Sequence, residues 1–188
     1  MTVAGSTGTG TEPDKVAVVT GAARGIGAAI AQALAGDGWR LVLVDRCRDD
    51  PALGYALATP DELEATVRAC GGDDGRAVGI VGDVRDQYAL DAAVDRARSD
   101  FGGLDAAVAA AGCIAGGDPA WTTSDDQWQT VLGVNLEGVW RLVRASVPAL
   151  LERPAPRQGR VVAISSTGGS IGLPLLAAYV AAKHGVNG

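Results

Sequence analysis

Tyr179 and Lys183 stand four residues apart, and Tyr179 follows Ser166 by thirteen. On a helix this spacing puts a phenol and an ammonium on one face, one turn apart. A cation held there favours the phenolate. Moving a phenol from about 10 to near neutrality takes about 4 kcal/mol of preferential stabilisation of its charged form. A phenol so placed can take a proton from an alcohol or return one. The same spacing also occurs between ordinary surface neighbours, so the pair acquires meaning only from what the rest of the chain positions around it.

A second group of residues reads as a cradle for phosphate. Gly21, Gly25 and Gly27 follow the apolar run Lys15–Thr20 and precede the helical stretch Ala28–Ala35, with Arg24 and Ile26 in the same turn. Small residues let the backbone approach a diphosphate, and a helix N-terminus offers free N–H groups and a positive dipole end. A glycine turn that merely tightens strand–helix packing is the simpler alternative. Asp45 argues against it. This residue ends the next apolar run, 20 residues beyond Gly25, where a carboxylate can accept both hydroxyls of an adenosine ribose. It would repel a 2′-phosphate, which favours NAD over NADP, while Arg24 and Arg46 keep NADP as the alternative. Asp83, after a third run, could accept from an adenine amino group or simply cap a turn.

The elements that must hold these residues follow from the hydrophobic pattern. Lys15–Thr20, Arg40–Asp45, Arg76–Gly82, Leu104–Ala110 and Gly159–Ile164 are continuously apolar rather than alternating. That is the pattern of parallel strands covered on both faces. Thr59-Pro60-Asp61-Glu62 combines a Thr cap, a Pro at the first helical position and a Glu three residues after the cap. Ser124-Asp125-Asp126-Gln127 opens a long helical stretch to about Leu151, and Asp86 caps Gln87–Phe101. Alternating strands and helices predict one α/β domain, a doubly wound parallel sheet with helices on both faces, over residues 14–188. Residues 1–13, rich in Gly and Thr, read as a flexible tail.

Composition narrows the partners. The formal charge is −6 with no basic block, which argues against nucleic acid and acidic membrane surfaces. The apolar stretches are too short and interrupted to span a membrane. Cys47, Cys70 and Cys113 are widely spaced, without a CxxC or a neighbouring His. They predict reduced structural thiols in a cytoplasmic protein, not a zinc or redox site.

Taken together, Thr20-Gly21-x-x-x-Gly25-Ile26-Gly27, Asp45, Asp83-Val84, Asn135, Ser166 and Tyr179-x-x-x-Lys183 occur in the order and spacing of a known family. From about Lys15 onward the chain resembles a short-chain dehydrogenase/reductase. The resemblance implies a Rossmann fold and hydride transfer between NAD and a small alcohol or carbonyl compound. Tyr179 would be the acid/base, Lys183 would lower its pKa and bind the nicotinamide ribose, Ser166 would hydrogen-bond the substrate oxygen, and Asn135 would anchor a water joining Lys183 to solvent. Cofactor contacts would come from the glycine turn, Asp83-Val84, Ala110, Ala111, Gly112 and Ile164. The family's Asn-Asn-Ala-Gly stands here as Ala109-Ala110-Ala111-Gly112, so side-chain support from those asparagines is lost. The resemblance also implies a homo-oligomer.

A narrower resemblance concerns the segment 46–75, longer than the usual connection between second and third strands. It is similar to an insertion in mycofactocin-coupled dehydrogenases, which hold NAD tightly and hand electrons to a mycofactocin-type redox partner. The expectation is an insertion folded over the adenine end, slowing NAD release, and a secondary or terpenoid alcohol as substrate. Family members continue with further strands and a substrate loop, so the sheet is expected to lack its last strands and expose a hydrophobic edge. An NAD-binding fragment or interaction module without catalysis is the competing reading.

Overall fold

A computed structural model describes residues 14–188; the expected tail over residues 1–13 lies outside the described residues. Five parallel strands form one sheet in the order β3-β2-β1-β4-β5. They are β1 (Val16–Thr20), β2 (Arg40–Asp45), β3 (Ala77–Val81), β4 (Ala106–Ala109) and β5 (Arg160–Ala163). All five expected strands are present, each within two residues of its expected bounds at either end.

The apolar runs bury both faces because successive side chains alternate across the sheet. Val16, Val18, Val42 and Val44 join one core with Leu90, Val94, Leu142 and Leu150. Ala17, Val19, Leu41 and Leu43 join the other with Ala31 and Leu63. The first layer is supplied by α3 (Gln87–Phe101) and α5 (Gly138–Glu152), the second by α1 (Gly25–Gly36) and α2 (Pro60–Ala69). This is the doubly wound sheet read from the sequence. The edge strand β5 differs from its central neighbours: it is exposed along its length, with Val161 39% and Val162 44% accessible.

Helix starts follow the caps. The Glu62 N–H donates to Thr59 Oγ1 at 3.3 Å, and Glu62 Oε2 accepts from the Thr59 N–H at 2.7 Å. Asp86 accepts from the Tyr88 N–H, and the Ser124 hydroxyl accepts from the Gln127 N–H. The helix expected to run unbroken to Leu151 is interrupted. After α4 (Asp125–Leu132) a π-turn occupies Gly133–Glu137 before α5 begins. Such turns widen the helix by one residue, commonly where a site needs a group turned inward. Here the group is Asn135, wholly buried.

The chain moves outward from β1 to β3, then returns to add β4 and β5 on the other side. In open α/β sheets the crevice at that reversal, beyond the carboxyl ends of the strands, is where ligands bind. Gly21, Asp45 and Ala110 all sit there.

Candidate active site

The turn between β1 and α1 is shaped by backbone contact. Gly21 has φ +68°, and a Cβ there would stand 2.6 Å from Ala111 Cα. A Cβ on Gly27 would strike the Gly21 carbonyl oxygen. Gly25 is different: its φ is +61°, but nothing lies within 4 Å of where its Cβ would be. That open side belongs to a cavity of about 510 Å³, a volume typical of small-molecule and cofactor sites. With the start of α1 at its wall, the cavity fits a dinucleotide diphosphate.

Asp45 lines the cavity, and its carboxylate accepts from the Ala23 N–H at 3.0 Å and the Cys47 N–H at 3.3 Å. A carboxylate has about four acceptor positions, so capacity for two ribose hydroxyls remains. The Ala110–Gly112 segment forms the facing wall. Where asparagines were missing, Thr20 supplies a link: its hydroxyl donates to the Val108 carbonyl and accepts from the Ala111 N–H, both at 3.4 Å.

Asp83 makes the turn that was its simpler alternative, and Asp83, Arg46 and Arg24 have further partners with no signal in the sequence. Asp83 accepts from the Arg85 backbone N–H and from Nε and Nη2 along one edge of its guanidinium, at 2.7 to 3.2 Å. Arg46 Nη1 donates to Asp50 at 2.5 Å, and its Nε lies at ion-pair distance, 3.3 Å, from Asp83 without hydrogen-bond alignment. Arg85 also reaches Asp50, at 3.0 Å. Burial pushes the Asp50 and Asp83 carboxyls up, but the Ala52 N–H and both guanidiniums hold Asp50 below its usual range, and Arg85 with Arg46 does the same for Asp83. Arg24 Nη2 donates to the Ala56 carbonyl at 2.7 Å. Arg24, Arg46 and Asp83 thus line the cavity while also bonding to one another or to the insertion.

At the other end of the cavity, α6 (Ala177–Asn187) carries Tyr179 and Lys183 onto its wall. Lys183 is 4% exposed. Its Nζ donates to the Ile164 carbonyl at 2.7 Å and stands 5.8 Å from the Tyr179 ring centroid. Burial pulls its ammonium pKa down. Asn135 Nδ2 donates to the Cys113 and Val131 carbonyls at 2.8 and 2.9 Å, and Oδ1 accepts from the Cys113 N–H at 3.3 Å. Both amide hydrogens are therefore engaged, and Oδ1 fills one of its two acceptor positions. Ser166 is placed one residue off the cavity wall, which Ser165 lines instead. The Ser166 hydroxyl accepts from the Gly168 N–H at 3.1 Å and opens a short turn that packs on the Tyr179 ring.

The insertion reaches further than the adenine end. Leu53 and Leu57 pack in one apolar cluster with Cys113, Val131 and Ala178, beside Tyr179. Tyr55 Oη accepts from the Ile114 N–H at 2.9 Å, tying the insertion to the loop after β4. Cys113 also lines the cavity, its thiol pushed up to about 11 by burial. The sequence assigns no site role to Leu53 or Leu57, whose only signal is the unusual length of the insertion, and reads Cys113 as a structural thiol, which is free and buried here. Among the described residues no group of three His, Cys, Asp or Glu side chains is placed to hold a metal, and no helix is long and apolar enough to cross a membrane.

A Gly-rich turn thus stands at the reversal of a doubly wound sheet, opposite a Tyr and a Lys one helical turn apart. The short chain dehydrogenase family model matches residues 15–188, and the chain belongs to that family. It is 40% identical over 174 residues to (-)-trans-carveol dehydrogenase of Rhodococcus erythropolis, covering 93% of this chain and 62% of that protein. The crystal structure of a carveol dehydrogenase from Mycobacterium avium in complex with NAD superposes with a TM-score of 0.86 at 40% identity, covering 93% of this chain and 62% of that one. A short chain dehydrogenase from Mycobacterium paratuberculosis bound to NAD gives a TM-score of 0.85 at 35% identity and 64% coverage of its chain. The chain thus spans less than two thirds of the length of these relatives.

Proposed function

We propose that the chain carries the NAD site and the proton-transfer residues of a short-chain alcohol dehydrogenase acting on a secondary or terpenoid-type alcohol or the corresponding ketone. One observation carries this reading: Tyr179 and Lys183 share a cavity wall with the open side of the glycine turn. NAD, when bound, accepts the hydride from the carbinol carbon or returns it. The chain's own residues handle the proton. Tyr179 takes it from the hydroxyl as the carbonyl forms, and gives it back in reduction. Lys183 keeps positive charge beside the ring and binds the nicotinamide ribose. Ser166, in the turn against that ring, hydrogen-bonds the substrate oxygen where charge develops. Asn135 fixes the π-turn and anchors, through its backbone, a water leading from Lys183 to solvent. The glycine turn, Asp45, Val84, Ala110, Ala111, Gly112 and Ile164 hold the dinucleotide.

The substrate class is supported by the apolar wall of Leu53, Leu57 and Val134 near Tyr179 and by the carveol dehydrogenases among the relatives. The insertion tied at Arg24 and Tyr55 supports a retained NAD re-oxidised in place by a mycofactocin-type redox partner. Exposed Trp140 and Leu151 on α5 support self-association into a homo-oligomer, and three unpaired, buried cysteines suit the cytoplasm. The test is Tyr179→Phe: oxidation of a secondary alcohol, followed with an artificial electron acceptor, is abolished while NAD binding measured by calorimetry persists. Turnover by Tyr179→Phe would rule out the role given to this phenol.

A further inference from the structure

Two guanidiniums stand where a 2′-phosphate would enter, yet both are engaged. Arg46 follows Asp45 directly and lines the cavity, as does Arg24 from the glycine turn. Each is held by the insertion: Arg46 Nη1 by Asp50 Oδ2 at 2.5 Å, and Arg24 Nη2 by the Ala56 carbonyl at 2.7 Å. Asp50 is 6% exposed and also grips Arg85, so it is fixed by two guanidiniums rather than one. At the ribose end Arg24, Arg46, Asp45 and Asp83 line the cavity, and Asp50 and Arg85 stand behind them in an ion-pair network with Arg46 and Asp83, making three guanidiniums and three carboxylates. The charges balance only because Asp50, contributed by the insertion, is present.

We propose that the insertion acts as a cofactor-selectivity device, with Asp50 as its specificity-determining residue: it withholds Arg46, and Ala56 withholds Arg24, from a 2′-phosphate. NADP is refused twice, by the charge of Asp45 and by the engagement of the two cavity-lining arginines, Arg46 through Nη1 and Arg24 through Nη2. A phosphate dianion is bound by guanidiniums that present two parallel donors. Arg46 can offer them only by leaving Asp50, a partner already at hydrogen-bond distance in a poorly hydrated site. Loss of Asp45 alone removes repulsion and adds no attraction. Loss of Asp50 as well releases Arg46 and leaves the ribose end with excess positive charge. The inference rests on reading the cavity as a dinucleotide site.

The experiment is calorimetric titration of NAD and NADP into nucleotide-free wild-type, Asp45→Asn, Asp45→Asn/Asp50→Asn and Asp45→Asn/Arg46→Ala proteins, with thermal melting to verify folding. Asp45→Asn alone is expected to gain little affinity for NADP. Adding Asp50→Asn is expected to tighten NADP by about tenfold, the lower range for one charge-assisted hydrogen bond. Arg46→Ala in the Asp45→Asn background is expected to leave NADP affinity unchanged, because Arg46 is withheld; this arm does not depend on how well the Asp50 variant folds. A tenfold weakening in that arm, or a folded double variant no better than Asp45→Asn, overturns the proposal while leaving the NAD reading intact. Wild-type protein that binds neither nucleotide overturns both.

Discussion

The two left-handed glycines of the β1–α1 turn separate folding from cofactor binding. In Gly25→Ala the methyl group enters open cavity, so the fold suffers only the left-handed backbone, about 1–2 kcal/mol. In Gly21→Ala the same strain is joined by a Cβ 2.6 Å from Ala111 Cα, where carbon atoms should stand about 3.5–4.0 Å apart. Both atoms belong to the packed ends of β1 and β4, and relief costs roughly a further 1–3 kcal/mol. For a chain of this size each kcal/mol lowers Tm by about 2–4 °C. Gly25→Ala should therefore melt about 2–8 °C below wild type, and Gly21→Ala about 4–20 °C below. The rise on adding NAD reports the other role. NAD at 100 times its Kd adds about 2.7 kcal/mol to wild type, a rise of roughly 5–11 °C. If the new methyl weakens NAD by about tenfold, the same concentration adds only about 1.4 kcal/mol to Gly25→Ala. Thermal melts with and without NAD measure both quantities. A Gly25→Ala protein as unstable as Gly21→Ala, or one that keeps the full NAD-induced rise, would refute this division of roles.

Two further outcomes follow from the site. Tyr55→Phe removes the hydroxyl that accepts from the Ile114 N–H. Losing about 1 kcal/mol of restraint on the insertion should speed NAD dissociation about fivefold in a stopped-flow displacement; an unchanged rate would mean that Tyr55 does not restrain it. Burial lowers the Lys183 ammonium pKa below the ordinary value of about 10.4. Between the folded and unfolded values the unfolded chain holds more protons, so wild-type stability rises with pH relative to Lys183→Met across that window. Denaturant melts at a series of alkaline pH values check the sign, and a difference that is flat or falls with pH contradicts it.

What was legible in the sequence was local or carried by pattern. Continuous apolar runs declared β1 and β2 because both faces of those strands are covered, and the Thr59–Glu62 capping box closes within one turn of chain. The glycine turn and the Tyr179–Lys183 pair are each defined over a few residues. Asp50 was not legible, because its meaning depends on Arg85, 35 residues away, and on an insertion with no periodicity of its own. Ser165 and Ser166 differ only in which one faces the cavity, and that depends on how β5 gives way to the following turn. The π-turn was hidden for a related reason: Asn135 is poorly suited to a helix interior, but what reorganises the backbone there is its bonding to Cys113, 22 residues earlier.

The position of the insertion links retention of the dinucleotide to the way the enzyme would be re-oxidised. To uncover the cavity, the chain must release the Tyr55–Ile114 bond, worth about 1 kcal/mol. It must also release the exposed Arg24–Ala56 bond, worth up to about 1 kcal/mol after screening. Returning Leu53 to water costs about 2 kcal/mol more. An opening of about 4 kcal/mol leaves roughly one molecule in a thousand uncovered. Dinucleotide exchange is then slowed by about the same factor relative to an uncovered site. On the proposed reading, a cofactor confined in this way would be re-oxidised while bound rather than exchanged at each turnover. Slow exchange of this kind is what a partner that re-oxidises bound NAD would require, and it supports the proposal of one.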